Sequence, residues 1–311
     1  MITIPSAKGF CARQPLTEQA TITTIRSSGT FRLLIQIAAY EGNLTNRRVT
    51  VVWWDGTKTT QNYDAGYTVE SAVGEFTVGI PYTFSKAVSS PYNNANPKTV
   101  RVFISDTSGN VRPRDVNAFI SYVDVTDTFL YQDNGVTAVN IAGLDRLLEF
   151  YSNANDSFSS ISTIPNSIQQ FAITGSLLLT SLDISNHTNL MNLYVNSNQF
   201  LSSLTLNGSS NLKLVRAYGN FSMTSIRAVG VGGVAMTTYY SYSTYSNFYA
   251  GIHVAGCNLN GAALNQLYTD LNSIPPGSGN SYIIVQNQGN GGELNDNPSI
   301  ATNKNYTVLG T

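Results

Sequence analysis

The chain has 311 residues, a formal net charge of −1 and only 11% charged residues, against roughly 25% in an average soluble protein. This length allows two domains and a sizeable core, and the near-neutral balance excludes the basic footprint of a nucleic-acid binder. The polar surface must therefore come from Ser, Thr, Asn, Gln and Tyr, which suits uncharged hydrogen-bonding partners or packing into a large assembly.

Residues 1–18 hold Pro5, Gly9 and Pro15 and predict an irregular arm. No basic stretch followed by an apolar run opens the sequence, so no secretory signal is expected there. The longest apolar run, around Leu33 to Tyr40, is interrupted by Gln36 and is far short of the ~20 residues that cross a bilayer as a helix. Residues 19–127 read as β structure. Candidate strands are Thr21–Arg26, Phe31–Tyr40, Val49–Trp54, Phe76–Ile80 and Val100–Ser105, rich in β-branched and aromatic residues. Turn signals at Glu41-Gly42-Asn43, Asp55-Gly56 and Ser89–Pro97 separate them, and such spacing predicts a β-sandwich. The segment Val51-Val52-Trp53-Trp54-Asp55-Gly56-Thr57 is a strand running into an Asp-Gly turn. It resembles the W-x-D-G-T hairpin of PKD-type immunoglobulin-like domains, with Trp54 where that family usually carries Gly. Thr99–Ser105 would supply the family's closing strand, without its Tyr.

From residue 128 to 311 a different rule holds. An eleven-residue phrase (apolar, two variable, apolar, one variable, small or apolar) begins at Val136, Leu147, Phe158, Ile168, Leu179, Leu190, Leu201, Leu212, Met223 and Val234. The step from Phe158 to Ile168 is ten residues; every other step is eleven. Such a run predicts a solenoid in which each unit buries its apolar edge against the next, with Leu182, Leu193, Leu204 and Val215 in one column. Paired phrases give a 22-residue unit similar to the leucine-rich repeat, L-x-x-L-x-L-x-x-N/C-x-L. The best copies are Leu190-x-x-Leu193-x-Val195-x-x-Asn198-x-Phe200 and Tyr249-x-x-Ile252-x-Val254-x-x-Cys257-x-Leu259. Asn155, Asn198, Asn220 and Asn290 take the Asn place, which predicts buried amides bonding the backbone of adjacent turns. No long helix separates the phrases, so a second extended segment is expected on the return side. After Val234 a Tyr/Ser/Thr-rich stretch breaks the register. Asn260–Ile274 then reads as a helix stopped by Pro275-Pro276, and Tyr282–Gln286, Pro298–Lys304 and Tyr306–Leu309 read as a cap.

No catalytic constellation or cofactor motif stands out. Two histidines exclude a three-His metal site. His187 reads as a solvated turn residue and His253 as an outward strand residue. Asp124 and Asp127 read as a polar linker in preference to a calcium site, and Cys11 and Cys257 as reduced thiols. Gly230-Val231-Gly232-Gly233 lacks the Lys-Ser/Thr of a phosphate loop. What remains is surface. Side chains alternate along a strand, so Tyr151, Ala172, Tyr194, Arg216 and Thr238 should point outward on one face. Glu149, Asn153, Asn192, Asn196, Tyr218 and Tyr240 should flank them. The opposite face, Asn140, Ser162, Asp183, Thr205 and Arg227, is blander. Tyr151, Asn192, Tyr194, Asn196, Arg216, Tyr218 and Tyr240 are the binding candidates, because tyrosines with amide and guanidinium tips combine rigid area with adaptable hydrogen bonding.

The combination of modules resembles bacteriophage fibre, decoration and tail-associated proteins. It implies a non-enzymatic virion protein, assembled in the host cytoplasm, whose N-terminal domain docks to other virion proteins while the solenoid meets a host-surface glycan or protein. The alternative is a bacterial surface or secreted leucine-rich-repeat protein. A carbohydrate-cleaving enzyme is disfavoured by the carboxylate-poor face. No heptads support a coiled-coil homo-oligomer, and oligomeric state stays open.

Overall fold

The computed structural model describes residues 18–26, 30–39, 47–63, 66–71, 74–79, 82–88, 97–106, 118–126, 135–232, 251–277, 281–286 and 295–310. The Tyr-rich stretch, with Thr238 and Tyr240, and the expected arm lie outside these residues, except Glu18, which opens the first strand. The protein is mainly β, with 43% strand and 7% helix, and a β-solenoid of about six turns spans residues 138–309. Among the described residues no helix is long and apolar enough to cross a membrane.

The first nine strands are β1 (Glu18–Thr24), β2 (Thr30–Ala39), β3 (Arg47–Val52), β4 (Lys58–Tyr63), β5 (Gly66–Ser71), β6 (Gly74–Gly79), β7 (Tyr82–Ala87), β8 (Lys98–Asp106) and β9 (Ala118–Asp124). Four of them, β4, β5, β7 and β9, were not anticipated. β4 reads KTTQNY with exposed and half-buried residues alternating; it is an edge strand with little apolar content to announce it. The Asp-Gly turn is present: Asp55 Oδ1 accepts from the Thr57 N–H at 3.0 Å, and Gly56 takes φ +80°. Trp53 is buried and packs edge-on to Phe31, with ring centroids 6.3 Å apart.

The strands that follow alternate between two walls. On one wall lie β11 (Glu149–Asn153), β13 (Gln170–Thr174), β15 (Asn192–Tyr194), β17 (Leu214–Arg216) and β19 (Gly251–His253). On the other lie β10 (Val136–Asn140), β12 (Ser160–Ile161), β14 (Ser181–Asp183), β16 (Ser203–Thr205) and β18 (Ser225–Arg227). Paired neighbours within each wall are parallel, as a solenoid requires, and the second wall is split between β12 and β14. Leu182 pairs with Leu204 and Leu204 with Ile226, while Phe171 pairs with Leu193 and Leu193 with Val215. Leu182, Leu193, Leu204 and Val215 are at most 5% exposed and belong to one apolar cluster, so the predicted column exists. The described phrase starts, Val136 to Met223, are at most 2% exposed.

The walls do not begin where the repeats begin. β9 pairs antiparallel with β2 and, on its other side, parallel with β11. β10 pairs antiparallel with β1 and parallel with β12. One twelve-stranded sheet therefore runs from the N-terminal strands through to the last strand of the chain.

The far end is closed by helix and strand. α1 (Gly261–Asp270) starts at Asn260, whose side chain accepts from the Ala263 N–H. It takes the place of the next return strand. The Asp270 carboxylate accepts from Arg227 Nε at 2.6 Å and from the Ala228 N–H at 3.1 Å, and the Asp270 carbonyl accepts from the Gly230 N–H. The open edge beyond β18 thus finds its partners in a helix end. β20 (Ser281–Ile284), α2 (Ser299–Thr302) and β21 (Tyr306–Leu309) complete the end, with Lys304 Nζ donating to the Tyr268, Thr269 and Leu271 carbonyls at the end of α1. Those carbonyls have no intrahelical donors, and a cation there also complements the helix dipole.

Candidate functional site

Each turn bends at two corners, and each corner buries one polar or apolar residue five positions beyond the strand's inward residue, Phe150, Phe171, Leu193, Val215 or Ile252 on one wall and Leu182, Leu204 or Ile226 on the other. At the first corner these are Asn155, Ser176, Asn198, Asn220 and Cys257. Asn198 Nδ2 donates to the Ile173 and Val195 carbonyls at 2.9 and 2.8 Å, and Asn198 Oδ1 accepts from the Ser176 N–H. Asn220 repeats the pattern one rung on, donating to the Val195 and Ala217 carbonyls and accepting from the Asn198 N–H. Cys257 Sγ donates to the Ala217 carbonyl, and burial pushes its thiol up to about 12. The predicted ladder is therefore present, while Asn290 lies outside the described residues. The second corner was not anticipated. There His187 is 8% exposed, its ring nitrogens 2.9 and 3.0 Å from the Ser185 and Ile164 carbonyls. His187 is thus a buried corner residue and not the solvated turn residue expected from its Asn and Thr neighbours. Ser209 follows it, donating to the Ile184 carbonyl at 2.6 Å and accepting from the His187 N–H. Phe200, the last apolar place of the best repeat copy, is 50% exposed, so the corner does not bury the residue that the repeat pattern puts inside.

These corners hold the long sheet's outward face rigid. In register across it stand Asp124, Tyr151, Ala172, Tyr194, Arg216, His253 and Ile284. A second row reads Tyr122, Glu149, Gln170, Asn192, Leu214, Gly251 and Tyr282. The tyrosines are tied down. Tyr151 O–H donates to Glu149 Oε2 at 2.9 Å and lies 3.3 Å from Gln170 Oε1, and its ring sits 5.3 Å from that of Tyr122. Tyr122 O–H in turn donates to Asp124 Oδ2. Burial raises the Glu149 carboxyl above its ordinary range, with the Tyr151 bond opposing, and burial raises Tyr151 and Tyr122 as well. The Arg216 guanidinium lies 5.5 Å from the Tyr194 ring centroid, a cation–π distance. His253 packs on Tyr218 at 4.8 Å, and burial, then the Arg216 charge, holds it below the usual imidazole range.

The candidates therefore divide. Tyr151, Tyr194 and Arg216 stand in one row, with Asn196 and Tyr218 at the adjoining corner, all partly exposed. Asn192 is a correction: its row faces outward, but the side chain is wholly buried. Ala172, also expected outside, is 2% exposed between the two tyrosines in register. Tyr240 falls outside the described residues. Tyr122, Gln170 and His253 belong to the face and were not among the binding candidates. For Gln170 the signal was the register itself, since counting 21 or 22 residues back from Tyr194 and Asn192 leads to Ala172 and Gln170, and then to Tyr151 and Glu149; Tyr122 and His253 fall outside that spacing. The other wall is bland, with Ser181, Ser203 and Ser225 beside Asp183, Thr205 and Arg227. Among the described residues no group of three His, Cys, Asp or Glu side chains could hold a metal ion.

No protein-family model, no curated protein and no solved structure matches the chain.

Proposed function

We propose that this chain is a non-enzymatic structural and adhesive component of a virus particle, of the bacteriophage fibre, decoration or tail-associated kind. In this reading the N-terminal strands form an immunoglobulin- or PKD-like sandwich that docks to other virion proteins. A leucine-rich-repeat-like solenoid with its C-terminal cap presents the host-facing surface. The observation that carries the reading is the asymmetry of the two walls. One bears Tyr151, Tyr194, Arg216 and Tyr218, ordered by hydrogen bonds and ring contacts; the other bears small hydroxyls and scattered charge. A row of fixed rings edged with amides and one guanidinium suits a neutral, ring-shaped, hydroxyl-rich partner, and glycans have that chemistry. Fixed rings also lose little conformational freedom on binding.

Two measurements test the proposal. Mass spectrometry of purified particles should find the chain in stoichiometric amount; its absence from particles and recovery with host envelopes would favour the bacterial surface reading. A glycan array probed with the whole chain should give signal that Tyr194→Ala abolishes.

A further inference from the structure

Six large apolar side chains are exposed among the described residues, and four of them share the first corner. Leu177, Leu178, Phe200 and Phe221 are between 38% and 67% exposed. They follow the corner residues Ser176, Asn198 and Asn220, which are bonded rung to rung, so the four fall on three successive rungs. Leu178 and Phe200 hold one place on neighbouring rungs, 22 residues apart, in step with Ser181 and Ser203 on the wall that follows. Leu177, Gln199 and Phe221 hold the place before it. None of residues 176–181, 198–203 and 220–225 is charged. Exposed apolar residues scattered singly are ordinary; a contiguous row rimmed by Ser, Thr and Gln marks an interaction surface.

We infer that this row docks against the same row of a second copy of the chain, about a two-fold axis beside Phe200 and perpendicular to the walls. Such a rotation brings the rungs together in opposite order, and the row suits that order. Phe200, on the middle rung, meets Phe200 of the second copy. Phe221 meets Leu177 and Leu178 meets Ser222, so at each end a larger side chain faces a smaller one. Gln199 meets Gln199, and an amide can both donate to and accept from its like. A two-fold contact sets each residue on its axis against itself, so a charge there would meet a like charge; the row carries none. The area also suits a second copy. The four side chains expose roughly 400 Å² of apolar surface per copy. That is half of the roughly 800 Å² per partner in a standard interface, close to the apolar share such interfaces carry. The same rotation leaves the wall bearing Tyr151 and Tyr194 facing one way in both copies. The pair would then meet a repetitive surface at two points. The docking itself does not depend on what that wall binds.

Sedimentation equilibrium of the whole chain is the test. It should find monomer and dimer, with the dimer fraction rising through the micromolar range. Phe221→Ser removes two contacts per dimer and should raise the dissociation constant roughly tenfold or more, and Phe200→Ser should do the same. Both side chains are half exposed or more, so both variants should melt with the wild type; Leu178→Ser replaces either one that fails to fold. Cross-linking tests the orientation. Mild oxidation should join Phe200→Cys chains into a covalent dimer faster than Phe221→Cys chains, with the wild type as the control for Cys11 and the buried Cys257. A chain that stays monomeric through the micromolar range would overturn the inference. So would a trimer or larger assembly, since an isologous contact closes at two. A dimer indifferent to the serine variants, or faster joining at position 221 than at 200, overturns it as well.

Discussion

The two corners of the solenoid meet one requirement with different residues. A chain that bends every eleven residues leaves backbone carbonyls facing inward, and each needs a donor. The first corner supplies asparagine at three of its five described places, and at Asn198 the amide serves two carbonyls and one N–H at once. The second corner supplies His187, then Ser209, then the apolar Val231, beside which the cap takes over. The lesson is that the first corner is a repeated device and the second is fitted case by case, so damage to the first should cost more.

Substitutions at equivalent places sharpen this contrast. Asn198→Ala should cost the most, about 3–4 kcal/mol, because it strands three buried backbone groups; chemical denaturation measures it. Asp270→Ala comes next, at about 2 kcal/mol, since it removes the acceptor of the Ala228 N–H at the capped end. Burial pushes the Asp270 carboxyl up, but bonds from Arg227, Gln266 and the Ala228 N–H outweigh it and hold the group below its ordinary 3.8. The cap's contribution is therefore present above that value and fades as pH falls through the lower, folded one, so acid melting of the wild type should resemble the variant. Ser209→Ala at the second corner should cost about 1–2 kcal/mol, less than its first-corner counterpart; an equal loss would erase the distinction. Glu149→Gln reverses the sign. Its folded carboxyl is raised, so the neutral form is preferred, and stability present below 4.5 is lost as pH rises through the folded value. The variant should melt slightly higher than wild type at pH 7 and equally at pH 4.

The corner positions also show what could be read in advance. Asn155, Asn198, Asn220 and Cys257 recur at fixed offsets after an apolar triplet, so the first corner was visible in the letters. The apolar column was visible for the same reason, since each rung repeats the local environment of the last. His187 gave no such signal. It occupies the ladder place of its own turn, yet Asn186, Thr188 and Asn189 around it read as solvent chemistry. The ten-residue step at Phe158, which shortens the preceding turn, was the only hint of irregularity nearby. Alternation placed Tyr151, Tyr194 and Arg216 correctly. It failed for Asn192 and Ala172, because facing outward and being exposed are different things once neighbours cover the row. The polar edge strand β4 was missed because pairing, not composition, makes it a strand.

β9 has a mechanical consequence. With β2 on one flank and β11 on the other, it leaves the start of the spiral no free margin from which to peel. Tugged by its tail, the protein should pay out thread from the far end first. Each full coil of 22 residues would lengthen the tether by about 75 Å, a sawtooth that a force spectrometer can count.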